Sequence, residues 1–95
     1  MSDELFAKYD GLIQVALEKY FQAYKAKYPE ARNFDTAKEF MDQNYDSYRR
    51  EVAAIGTAIM HEAGLGDNAI TRKIIEQNKY SIGALFGEIM NDALN

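Results

Sequence analysis

The chain predicts an all-α fold, a small antiparallel bundle of three long helices. Three observations carry this. Apolar residues recur at helical spacing over three long stretches. The single proline, Pro29, and the paired glycines of the corner Gly64-Leu65-Gly66 fall between these stretches, and an isolated glycine such as Gly11 is tolerated inside one. Ninety-five residues, 47% of them hydrophobic and twelve of them aromatic, supply one core and no more.

The first helix is expected over 3–28, with Ser2 as its N-cap and Asp3 and Glu4 in a favourable first turn. Its apolar positions are 5, 9, 12, 13, 16, 17, 20, 21, 24 and 28. Pro29 ends it, because the residue before a proline avoids the helical region. Lys25 and Lys27 then fall where the helix dipole favours cations. The apolar arc is wider than the ~100° stripe of a helix with one neighbour. Helix 1 is therefore expected either in a groove between two helices or facing a second molecule as well.

The second helix is expected over 35–63, capped by Asn33 or Asp35, with Phe34 as a hydrophobic staple. Its seam reads Met41, Tyr45, Tyr48, Val52, Ile55, Ile59 and Ala63, a spacing suited to shallow crossing. Gly64 suits the left-handed residue after a helix end, with Leu65 as the following apolar contact. The third helix is expected over 67–94, capped by Asp67, on a stripe of Ile70, Ile74, Ile75, Ile82, Leu85, Ile89 and Ala93. Asn78 interrupts this stripe as a register-setting polar group. The polar run 76–81 leaves open a break near 78–81, with Ser81 capping a fourth helix.

Composition narrows the function classes. The net charge of -4 is mild and evenly spread, which disfavours general affinity for nucleic acid or anionic membranes. Zero cysteines exclude disulfides and thiolate metal sites, and one histidine excludes a multi-His site in one chain. No apolar run approaches the ~18 residues of a membrane span, and the N-terminus lacks signal-peptide features. A cytoplasmic protein without a cofactor is expected. His61-Glu62 is a poor acid–base or metal pair, since adjacent helical residues diverge by ~100° and no second histidine follows.

What remains points to binding. On a helical wheel Ala53, Ala54, Thr57, Ala58 and His61 lie opposite the seam of helix 2. Tyr80, Gly83, Ala84, Gly87 and Asn91 lie away from the stripe of helix 3. Small residues at such spacing let a second helix approach closely. They form either an interface with a protein partner or second copy, or a face that helix 1 covers. Tyr20, Tyr24 and Tyr28 line one face of helix 1 and offer another contact surface, or else core rings with hydroxyls at the rim. The expectation is a non-enzymatic homodimeric regulator or inhibitor, of a size suited to phage or mobile-element proteins.

The corner Ala63-Gly64-Leu65-Gly66-Asp67-Asn68-Ala69-Ile70, followed by Arg72-Lys73-Ile74-Ile75, resembles the helix-turn-helix of Cro/C1-type repressors. Ile59, Ala63, Leu65 and Ile70 match apolar positions of that family, and Gly64 its turn glycine. Met60 stands where the family has a small residue, and Lys73 where it is usually apolar. The resemblance covers residues 57–76 and implies an alternative function, a DNA-binding transcriptional regulator. Asn68, Thr71 and Arg72, with Gln77 as a further candidate, would then face base edges, with Lys73, Lys79, Arg49 and Arg50 on phosphates.

Overall fold

A computed structural model of the chain describes residues 2–64 and 69–95, apart from the side chains of Ser2 and Asp3. Three helices run up, down and up: α1 (Ser2–Lys27), α2 (Phe34–Glu62) and α3 (Ala69–Leu94). The bundle is a rod of 46 × 20 × 17 Å. That length matches the roughly 43 Å of a 29-residue helix, so the helices lie along the long axis.

Asn33 caps α2. Its side-chain Oδ1 accepts from the Thr36 N–H at 3.0 Å, and its own N–H donates to Thr36 Oγ1 at 2.9 Å. That is a capping box closed by a threonine. Phe34 consequently occupies the first helical position and is exposed, so it does not form the expected staple. At the other end Gly64 takes φ +95°, the left-handed geometry that glycine adopts without a Cβ clash. The expected contact of Leu65 and cap of Asp67 lie outside the described residues, as do the side chains of the N-terminal cap.

Helix α1 lies in the groove between the other two, and aromatic hydroxyls mark the contacts. Tyr20 bonds Ser47 of α2 at 2.6 Å, and its ring meets Tyr48 edge-on at 5.1 Å. Tyr9 reaches Asn78 and Ser81 of α3. The core comprises Tyr9, Ile13 and Leu17 from α1, Phe40, Tyr48, Val52 and Ile59 from α2, and Ile74, Leu85 and Ile89 from α3.

Helix α3 continues through 78–81, and the side chains expected to break it show why. Tyr9 Oη donates to Asn78 Oδ1 at 2.5 Å and so can only accept from Ser81 Oγ, 3.0 Å away. Tyr48 Oη donates to the Ser81 carbonyl at 2.8 Å. With Asn78 and Ser81 occupied across the core, they no longer compete for the local backbone. Asn78 thus sets register across all three helices. Its counterpart is Gly56 on α2, where a Cβ would fall 2.5 Å from Asn78 Nδ2. Burial in this network pushes the phenol of Tyr9 up from its ordinary value, and that of Tyr48 up to about 12.

Candidate protein-binding surface

Ala54, Thr57, Ala58 and His61 are exposed on the back of α2, and Tyr80, Gly83, Ala84 and Gly87 on α3. Helix α1 buries neither set. A Cβ built on Gly83 or Gly87 would meet nothing within 4 Å. Only Thr57 and Gly83, toward the edge that α2 and α3 share, fall on one side of the rod. The other members diverge, because in a triangular bundle the backs of two helices point apart. Tyr80 and Ala84 border α1 instead, in a shallow groove with Asp10, Gln14 and Gln77. His61 stays exposed, while its neighbour Glu62 pairs with Lys8 at 2.6 Å.

The tyrosine face is corrected by the structure. Tyr24 is fully buried, with its ring 5.3 Å from that of Phe40 and its hydroxyl donating to Thr36 Oγ1, so it offers nothing to a partner. Tyr20 and Tyr28 are half-buried, and their hydroxyls are engaged by Ser47 and Glu39 of α2. These rings hold α1 on α2. They are large enough to fill the core, and their polar ends reach the rim.

Of the residues implied by the repressor resemblance, Asn68 lies outside the described residues. Thr71 is half-buried, Arg72 is exposed, and Lys73 lies over the Phe6 ring with Nζ 4.0 Å from its centroid. Arg49 and Arg50 both turn onto Asp46, at 2.7 and 2.9 Å. They sit about 20 Å along α2 from its C-terminal end. A helix-turn-helix pair crosses at about 90–120°. Here α2 and α3 run side by side, from Gly56 against Asn78, through Tyr48 against Ser81, to Arg32 just ahead of α2 against Asp92. The DNA-binding reading gains no support from this arrangement.

The surface that sequence reasoning missed is the outer edge between α2 and α3, on the side away from α1. Tyr45 and Ile75, both assigned to the core, are 47% and 51% exposed, and Phe86 is 47% exposed. Met60, Ile82 and Met90 are half-buried beside them. With Gly56 facing Asn78, the antiparallel register brings Met60 about level with Ile75, and Tyr45 about level with Phe86. The exposed Ala53, Thr57 and Gly83 fill the middle. The sequence signal of this edge is slight: on a helical wheel Phe86 and Met90 lie on one flank of the α3 stripe. Tyr45 and Ile75 lie toward the same edge, and no third helix covers it.

None of the helices, among the described residues, is long and apolar enough to cross a membrane. The chain matches no family model, no curated protein and no solved structure.

Proposed function

We propose that this is a non-enzymatic cytoplasmic binding protein that regulates or inhibits a protein partner by helix-on-helix contact. The α2–α3 side is its contact surface. One observation carries the reading: three large apolar residues, Tyr45, Ile75 and Phe86, stand about half exposed in a row along the α2–α3 edge. Half-exposed apolar side chains along a helix pair are the anchors that a partner helix covers, with aromatic residues contributing most. The small residues Ala53, Thr57 and Gly83 between them allow close approach.

The test is a photo-crosslinking side chain at Phe86, compared with one at Gln22, which is exposed on α1. In the native cell the Phe86 probe should trap a polypeptide that the Gln22 probe does not. If neither position, or both equally, gave adducts, the α2–α3 side would not be a binding surface.

A further inference from the structure

We propose that the α2–α3 side takes a second copy of this chain, laid face to face and antiparallel about a two-fold axis running across the helices. The inference deepens the proposed function and rests on it. Two α2–α3 hairpins would form a four-helix centre, with an α1 on each outer side.

Size comes first. A side of the rod is 46 Å long and 17 to 20 Å wide, roughly 800–900 Å² of footprint. A standard interface needs about 800 Å² per partner. The other sides have similar footprints, but the α1–α2 edge is already closed by cross-links. There Lys8 pairs with Glu62 and Lys19 with Glu51. Among the described residues the ion pair on this side is Arg32, just ahead of α2, with Asp92 at the far end of α3, and none joins α2 to α3 along their length.

The pattern along the face then selects the occupant. A two-fold interface must be self-complementary. From its middle, near Ala53 and Ile82, the face has Met60 and Ile75 on the half toward the corner. On the other half it has Tyr45, Phe86 and Met90. An antiparallel stack lays each apolar group on the other.

The charges point the same way. Arg72 and Lys79 lie on the corner half, whereas on the far half Asp42 is paired with Lys38 and Asp46 with Arg49 and Arg50. A parallel stack would gather Arg72 and Lys79 of both copies at one end. The antiparallel stack lays α3 on α3 with its ends exchanged, and so keeps the Arg72 and Lys79 groups of the two copies on opposite halves of the interface. Separating like charges fixes orientation more than it adds affinity.

Light scattering over a nanomolar-to-millimolar series tests the proposal. The wild-type chain should reach twice the chain mass. Phe86→Glu and Ile75→Lys should each halve that value while helical circular dichroism is retained. Because the chain has no cysteine, single introduced ones report orientation. Gly83→Cys, near the axis, should form a disulfide with its copy under oxidising conditions. Leu94→Cys should not, because the two ends would lie about 35 Å apart. A Leu94→Cys cross-link in place of the Gly83→Cys one would overturn the antiparallel arrangement. A wild-type chain that stays monomeric at millimolar concentration would overturn the second copy altogether. In that case a Phe86-specific adduct with a different polypeptide would still uphold the binding surface, whereas its absence would remove both.

Discussion

The two edges of α2 are built differently. Toward α1 the rim is laced with polar contacts: Lys8 to Glu62, Lys19 to Glu51, Tyr20 to Ser47 and Tyr28 to Glu39, at 2.6 to 2.9 Å. Toward α3 the polar anchors lie inside, at Gly56 against Asn78 and Tyr48 against Ser81, and the rim is apolar and half open. Exposed ion pairs contribute little energy, commonly under ~1 kcal/mol each, so the α1–α2 lacing is not what holds the rod together. It gives that edge a finish that water tolerates. Leu12 and Val15, 40% and 69% exposed, form a short aliphatic pair on α1, whereas Tyr45, Ile75 and Phe86 form a longer row of larger side chains along the other edge. A row of large apolar residues is a surface with a use, and a scattered one needs no explanation.

The largest expected effect separates the inside of the α2–α3 edge from its outside by adjacent residues. Leu85 is fully buried and Phe86 half exposed. Leu85→Ala should cost about 2–5 kcal/mol in chemical denaturation, from lost burial and the cavity left behind. Phe86→Ala should cost about 1 kcal/mol or less in dilute solution, with any larger loss appearing only at high protein concentration. Equal, concentration-independent losses at both positions would mean that Phe86 belongs to the core and that the edge is closed.

Next is the inner anchor. Gly56→Ala places a methyl 2.5 Å from Asn78 Nδ2. The amide ends a short side chain, but its oxygen accepts from the buried Tyr9 hydroxyl, so turning it away breaks that bond. Overpacking of this kind costs about 1–3 kcal/mol, against a helix-propensity gain of about 1 kcal/mol. A modest net loss is expected. In an Asn78→Ala background the same substitution should become stabilising, and the four variants together give the coupling directly. If Gly56→Ala stabilised the wild-type chain, the idea that Asn78 is locked would fail.

These residues also mark how far the sequence was legible. Helix limits, the Asn33 cap, the left-handed Gly64 and the polar Asn78 follow from local rules, and all four are in place among the described residues. Gly56 carries no such local signal, because a glycine mid-helix means nothing until its opposite number is known. The exposure of Tyr45 and Ile75, and which of the two readings of Tyr24 applies, contact surface or core ring, are not legible for a related reason. A helical wheel gives an angle from the core, but not how many neighbours cover each flank. Three helices leave one side of the α2–α3 pair open, and that is a property of the bundle. The pairing of Arg32 with Asp92 is likewise non-local, and it explains an acid near the end of α3 where the dipole disfavours one.

Tyr48 links the inner anchor to pH. Its phenol, ordinarily near 10, is pushed up to about 12, chiefly because burial penalises the phenolate. The folded value is the higher one, so its contribution is complete below pH ~10 and is lost as pH rises through about 12. Alkaline unfolding should therefore begin above pH ~10. Tyr48→Phe should lower stability at neutral pH by about 0.5–1.5 kcal/mol, the value of one hydrogen bond, and flatten the loss above pH ~10. An unchanged alkaline limb in Tyr48→Phe would shift that role to Tyr9, whose phenol is also raised by burial.

The smallest effect belongs to the laced edge and completes the comparison. Lys19 and Glu51 meet at 2.6 Å with the lysine side chain 59% exposed. A double-mutant cycle on Lys19→Ala and Glu51→Ala should give about 0.2–1 kcal/mol of coupling. Salt near 1 M, where screening reaches ~3 Å, should remove most of it. The α2–α3 edge should respond differently, because association driven by apolar burial persists in salt and only its charge-set orientation weakens. Coupling at Lys19–Glu51 that survived high salt would show that the α1–α2 rim is drier than its exposure implies. The two edges would then differ in composition but not in kind.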